Sequence, residues 1–170
     1  CYSLKSIKLS DSITDIEVEA FYFCGELKRI EFGSNLKHIG DYAFLECIKL
    51  KSVTLPSSLL SIGEKAFSFC KGLKSVMLGN GIKEIGDSAF NSCSALQNIN
   101  LPDSLEHIGK EAFSYCYRLR EIELPESIKV VEEKTFWHCS SLEYLVLPEG
   151  LVEIKDEAFY CCHSLEDITL

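Results

Sequence analysis

The 170-residue sequence lacks the apolar run of about 18 residues or more that a membrane span needs, so we expect no membrane insertion within it. Positive charge is also scarce, since 17 basic against 26 acidic residues give a net charge of −9. A chain this acidic lacks the charge of a general nucleic-acid binder, and we expect no nucleic-acid partner. No initiator methionine and no signal-peptide pattern open the sequence, so we expect a piece of a longer protein.

The C-x-x-C pairs that zinc sites use are absent as well. Instead, eight of the nine cysteines recur at every twenty-third position, namely Cys1, Cys24, Cys47, Cys70, Cys93, Cys116, Cys139 and Cys162. Disulfide scaffolds have irregular spacing, so we predict a column of buried free thiols, with no cofactor and no metal. A weaker alternative is a metal site formed by Cys161, Cys162 and His138.

Phenylalanine recurs with the same period, at Phe21, Phe44, Phe67, Phe90, Phe113, Phe136 and Phe159. Alanine precedes each of them except Phe136, which follows Thr135. Counted from its cysteine, each repeat has the pattern C-x-x-L-x-x-I-x-L-P-x-S-L-x-x-I-G-x-x-A-F-x-x. We therefore divide residues 1–170 into seven full repeats and the start of an eighth, which form one domain.

The apolar positions of a single repeat are too few to enclose a core, whereas stacked repeats bury each column against its own copies. In the third repeat, Val53 and Leu55 alternate with Thr54, which indicates a short half-buried strand that ends at Pro56. Equivalent strands of successive repeats predict a parallel sheet. Acidic residues stand shortly before each Ala-Phe or Thr-Phe pair and suit the first turn of a helix, so we predict one or two helical turns there.

The repeat pattern resembles the BspA-like leucine-rich repeats along the whole chain. This resemblance implies an α/β solenoid: a right-handed leucine-rich-repeat superhelix with a concave parallel sheet and short helical turns on the outer side. It also implies an extracellular or cell-surface location and a role in adhesion and protein binding. Fold alone does not identify a ligand.

The outward positions of the predicted strands, which are the fifth, sixth and eighth of each repeat, divide by charge. The first four repeats carry six cationic side chains and one anionic side chain there, and the remaining repeats carry one cationic and five anionic. We therefore predict a bipolar concave face that binds a ligand. Its basic half contains Lys5, Lys28, Arg29, Lys51 and Lys74, and its acidic half contains Glu121, Glu123, Glu143, Tyr144 and Glu166. The alternative is that these side chains serve solubility alone.

A second candidate contact lies in the repeat that departs most from the pattern, which contains Val130 and the single tryptophan, Trp137. Aromatic residues are favoured at interfaces. The alternative, which we prefer, is that the aromatic side chains after the Phe column pack between repeats on the outer side.

The main functional hypothesis is a non-catalytic binding module for a protein ligand. Two alternatives stay open, a structural spacer that displays other domains and a module that binds anionic glycans. Catalysis is disfavoured because acidic residues before the Ala-Phe or Thr-Phe pair recur in every repeat, which indicates a structural role, and no nucleophile-histidine-acid set stands out.

Overall fold

The computed structural model describes residue 1 and residues 3–169. Within them the chain forms short parallel strands in two sets. The first set comprises β1 (Ser6–Lys8), β3 (Arg29–Glu31), β5 (Ser52–Thr54), β7 (Ser75–Met77), β9 (Asn98–Ile99), β11 (Glu121–Glu123), β13 (Tyr144–Val146) and β15 (Asp167–Thr169). The second set comprises β2 (Asp15–Ile16), β4 (His38–Ile39), β6 (Ser61–Ile62), β8 (Glu84–Ile85), β10 (His107–Ile108), β12 (Val130–Val131) and β14 (Glu153–Ile154).

Most strands pair in parallel with the equivalent strand of the next repeat. Val53 lies opposite Val76 in the first set, and Ile62 lies opposite Ile85 in the second. The parallel β-solenoid predicted from the repeat pattern is therefore confirmed. The second set was not predicted, because two-residue strands leave too short an alternation to detect in the sequence.

The phenylalanine column forms the centre of the core. The rings of Phe44 and Phe67 stack with centroids 5.0 Å apart and planes 8° apart, and Phe67 and Phe90 stack at 5.5 Å and 4°. All three side chains are fully buried. The buried leucine and isoleucine columns join the same core cluster, so each repeat closes the core of its neighbours.

The predicted helical turns are wrong, and the chain is an all-β rather than an α/β solenoid in its described part. Two non-glycine residues in each of the seven full repeats have positive φ, such as Lys65 at 50° and Phe69 at 56° in the third. A positive φ interrupts a right-handed helix.

The backbone of this side forms successive β-turns instead. Ala66 donates to the Gly63 carbonyl at 3.3 Å, and positive φ at the third residue of that turn matches type II. The intervening amides donate to the next repeat, as Phe67 does to the Ala89 carbonyl at 2.8 Å. The acidic residues therefore stand in turns, and bonds between repeats replace the bonds of a helix.

In four of the seven full repeats a glycine precedes this turn, and it is favoured by space rather than by conformation. Gly63 has no positive φ, but a Cβ there would lie 2.7 Å from the backbone nitrogen of Asp41 in the preceding repeat. Ala66, the last residue of this turn, is fully buried. At these four glycines the backbone of the preceding repeat lies too close for a Cβ.

The cysteine column consists of free thiols. The Sγ atom of Cys70 donates to the Phe44 carbonyl at 3.2 Å, and that of Cys93 donates to the Phe67 carbonyl at 3.1 Å. Burial raises the pKa of Cys47 to about 12 and that of Cys162 to about 11. Six column thiols, from Cys47 to Cys162, each donate to a phenylalanine carbonyl 26 residues earlier in the chain, so these cysteines have a structural role.

Candidate ligand-binding face

The outward residues of the first strand set form one surface, which we call the first-sheet face. It consists of the fifth, sixth and eighth residues of each repeat. In β5, Ser52 and Thr54 are exposed on either side of the buried Val53. Because the strands are parallel and in register, equivalent residues of successive repeats lie side by side. The sheet therefore displays three columns of side chains that packing does not determine.

The structure places every predicted residue of the basic half on this face. Lys5, Lys28, Lys51 and Lys74 are exposed, and within the described residues none has a carboxylate within ion-pairing distance. The Lys28 amide donates to the Lys5 carbonyl at 2.8 Å, which makes these two residues direct neighbours. Lys51 and Lys74 are joined in the same way.

Arg29 differs from the lysines because a carboxylate partly neutralises it. Its Nη2 lies 2.6 Å from Oε1 of Glu31, and Nζ of Lys8 lies 3.8 Å from Oε2 of the same residue. Glu31 thus reduces the positive charge at the sixth and eighth positions. The unpaired positive charge of this half is concentrated in the lysines of the fifth position.

The acidic half combines carboxylates with apolar surface. Glu121, Glu123, Glu143 and Glu166 are exposed, and Tyr144 is 67% exposed. Gln97, Asn98, Arg120, Glu121, Glu143 and Tyr144 line one shallow cavity, so residues of three successive repeats meet there. Met77 and Val146, to which the sequence pattern assigns no special role, are 54% and 41% exposed on the same face. The signal in the sequence that could have identified them is an apolar residue at an outward position of a strand.

The first strand set does not form one continuous sheet. Its pairing stops between β3 and β5 and again between β9 and β11. Phe32 stands beside the first interruption, where most repeats have a leucine, and its ring meets Phe44 edge-on at 5.9 Å. Beside the second interruption, the Asn100 side chain accepts from the Leu78 amide at 2.8 Å and donates to the Leu78 carbonyl at 3.0 Å.

Val130 and Trp137 lie on different sides of their repeat. Val130 is half-buried in β12, whereas Trp137 is half-buried in the turn segment. The Trp137 ring contacts Tyr115 of the preceding repeat at 4.9 Å and Tyr160 of the next at 6.3 Å, so it packs between repeats. Its Nε1 is buried without a hydrogen-bond acceptor among the described residues, and the T-shaped contact with Tyr115 is a geometry in which an N–H group can face a ring.

The same repeat carries a compensating ion pair. Glu132 takes the place of the glycine before the turn, and Nζ of Lys155 donates to both of its carboxylate oxygens at 2.8 Å. The hydrogen bond to Glu132 raises the pKa of Lys155. The departure of Glu132 from the repeat pattern is therefore accompanied by an ion-pairing lysine, Lys155, in the next repeat.

The arrangement of Cys161, Cys162 and His138 does not support the alternative of a metal site. Cys162 Sγ donates to the Phe136 carbonyl at 3.1 Å, as the column cysteines from Cys47 to Cys139 do to theirs. In residues 1 and 3–169, no group of three or more histidine, cysteine, aspartate or glutamate side chains is arranged to hold a metal ion.

A family model of the BspA-type leucine-rich repeat region, in six copies, matches residues 1–118 and 61–170. The chain belongs to the BspA-type leucine-rich repeat family. This family typically mediates protein interactions, and its members are generally non-enzymatic binding scaffolds. No curated protein matches the sequence at a significant level.

Solved structures agree with this membership. The chain is similar to a leucine-rich repeat protein of T. pallidum, with 32% identity over 95% of this chain and 78% of that one and a TM-score of 0.92. A leucine-rich repeat protein from Bacteroides ovatus is 27% identical, with 97% of this chain and 55% of that one covered and a TM-score of 0.80.

A leucine-rich cell surface protein from Faecalibacterium prausnitzii is 20% identical, with 98% of this chain and 79% of that one covered and a TM-score of 0.57. At this identity the likeness extends to the fold alone. Among the described residues of this BspA-type chain, no helix combines the length and apolar character that a membrane span requires.

Proposed function

We propose that this BspA-type chain is a non-catalytic module that binds a protein ligand through its first-sheet face, in cell-surface adhesion or host interaction. We take this face to be the concave side of a right-handed superhelix, because solenoids commonly bind on their concave surfaces. Membership of a family that typically mediates protein interactions supports the general role. The cell-surface location rests on the resemblance and on the name of the F. prausnitzii relative.

The observation that carries the proposal is the fifth-position lysine column. Lys5 and Lys28 are direct neighbours, as are Lys51 and Lys74, and all four point outward without an acidic partner among the described residues. Like charges on neighbouring strands repel each other, and the core does not require lysine at an exposed position. A ligand with an acidic surface would offset this repulsion.

The acidic half restricts the orientation in which a ligand can bind. A partner with one acidic and one basic area matches the face in a single orientation, since the reverse orientation would bring like charges together. Charged faces of this kind increase association rates and select partners. The basic half by itself would also attract an anionic glycan, which is the second candidate.

The test compares paired charge reversals on and off the face. Peptides are first selected for binding to the wild-type chain from a displayed peptide library. The double variant Lys28→Glu with Lys51→Glu is then compared with Lys37→Glu combined with Lys129→Glu, two exposed lysines outside the first-sheet face. We expect affinity to fall at least about tenfold for the face variant and to weaken with salt in the wild type, because these charges are solvent-exposed.

Two outcomes contradict the proposal. One is an equal loss of peptide affinity in the two double variants, and the other is an unchanged peptide affinity in the face variant. Retention on a heparin column that salt abolishes, without any selected peptide, favours the glycan candidate instead. Circular dichroism of both variants checks that the fold is unchanged.

A further inference from the structure

The second interruption of the first sheet opens a cleft between the fifth and sixth repeats. Its walls include Ile99, Leu101, Glu121, Ile122, Glu123 and Tyr144, and we call it the fifth–sixth cleft. In the described part of the chain, no backbone hydrogen bond joins residues 97–101 to residues 120–124. The cavity measures about 430 Å³, within the range of roughly 300–1,000 Å³ that small-ligand pockets span.

The cleft exposes apolar side chains that the repeats on either side bury. Ile99 and Leu101 are half-buried, whereas Val76 and Leu78, their counterparts in the fourth repeat, are buried. Asn100 binds back to the fourth repeat through its side-chain amide, so it does not bridge to the sixth. The result is a groove with apolar walls at an unpaired strand edge, and a contact there would bury area that is normally part of the core.

The rim of the cleft is anionic. Asp103, Glu121 and Glu123 line it, and within the described residues these carboxylates form no ion pair and no lysine or arginine lines the cleft. The Tyr144 ring stands at the same rim. An occupant that suits both features has a long apolar stem and a cationic head.

We propose that the fifth–sixth cleft is a specificity subsite for one arginine side chain of the protein ligand. The stem of the arginine lies against Ile99 and Leu101, and its guanidinium binds Glu121 and Glu123 and contacts the Tyr144 ring. Arginine fits better than lysine because its guanidinium is planar, weakly hydrated, and able to bind carboxylates in pairs and to stack on aromatic rings. The subsite rests on the proposed function, since it makes the acidic half of the first-sheet face selective for an arginine of the protein ligand.

The interruption between the second and third repeats provides an internal comparison. Lys28, Arg29 and Glu31 line that cavity together with Phe32. Its carboxylate is already paired with Arg29, so it should not attract a second guanidinium. Arginine selectivity therefore belongs to one of the two interruptions.

The experiment uses the full 170-residue chain and three capped tripeptides, Ac-Gly-Arg-Gly-NH2, Ac-Gly-Leu-Gly-NH2 and Ac-Gly-Glu-Gly-NH2, as probes. Amide chemical shifts of the 15N-labelled protein report where each probe binds. The arginine probe is expected to shift the amides of Ile99, Ile122 and Tyr144 with saturation, at an affinity at least about fivefold above that of the leucine probe. The glutamate probe is expected to leave these amides unchanged.

Two variants sharpen the test. Glu121→Gln with Glu123→Gln is expected to weaken the arginine probe about five- to tenfold, because the carboxylates lose their charge and keep their size. The control Glu31→Gln, at the other interruption, is expected to leave the affinity for this probe unchanged. Unshifted amides outside the cleft show that each variant has kept its fold.

The proposal is overturned if the leucine probe binds the cleft as well as arginine does, if the arginine probe shifts other amides, or if the paired glutamine variant keeps full affinity. Repeating the arginine titration on Lys28→Glu with Lys51→Glu separates this inference from the proposed function. If that variant binds the arginine probe in the cleft with full affinity, and the selected peptides bind it as tightly as they bind the wild type, the subsite is retained. The lysine column then has no role in ligand binding.

Discussion

Two columns that share one sequence period behave in opposite ways. In the Phe column, rings such as Phe67 and Phe90 stack at 5.5 Å and are fully buried in successive repeats. In the fifth-position column, Lys5 and Lys28 are exposed like charges, and further along the chain the column changes to Gln97, Arg120 and Glu143.

The comparison separates the requirements of the fold from those of recognition. A change in a stacked ring removes contacts with two neighbouring repeats, so the inner column stays constant. An outward side chain contacts little of its own chain. Under the proposed function, its charge can therefore be complementary to that of the ligand. On the same proposal, the residues that vary between repeats on the first-sheet face determine which ligand is bound.

The largest expected effect concerns the inward thiols. Native Cys70, Cys93, Cys116 and Cys139 are expected to react with maleimide at least about a thousandfold more slowly than Cys1 and Cys161, because reaction requires unfolding of the stack. Burial also raises the pKa of these four thiols well above the usual value for cysteine. Mass spectrometry of labelled peptides measures the rates.

Unfolding in denaturant supplies the control for the thiols. All nine cysteines are expected to react at similar rates there without a reducing agent. Equal native rates for Cys93 and Cys161, or fewer than nine reactive thiols after unfolding, would contradict the assignment of a free, buried column.

A truncation in the Phe column has the next largest expected effect. Phe90→Ala should lower the free energy of unfolding by about 3–5 kcal/mol, because it leaves a cavity between two stacked rings. Phe69→Ala is the matched control, since Phe69 is 40% exposed and should lose far less. Denaturant unfolding followed by circular dichroism compares the two variants, and similar losses would remove the distinction between inner and outer columns.

The smallest expected effect concerns the lysine column. Lys51→Gln should raise the melting temperature by about 1 °C at low salt, because it relieves repulsion between exposed charges, and the gain should vanish at high salt. Lys49→Gln is the control of opposite sign, since Lys49 pairs with Glu26. A loss of stability in Lys51→Gln would mean that the lysine serves the fold of its own chain.

Sequence periodicity was sufficient to predict the stacked repeats, the parallel first strand set and the buried Phe and Cys columns. It was also sufficient to place the charged residues on one exposed face. It failed for the turn segment, where acidic residues before Ala-Phe were interpreted as a helix start although Lys65 and its equivalents have positive φ. It also missed the second strand set, because Ser61 and Ile62 form a strand of only two residues.

What the sequence determined by itself is which side chains share a column, because an unbroken period allows one register of stacking. The tertiary structure alone decided the turn conformation, since amides such as that of Phe67 find their acceptor only in the next repeat. It also decided where the first sheet opens. Beside the two openings, Phe32 contacts Phe44 and Asn100 binds Leu78, and such contacts exist only after the repeats have stacked.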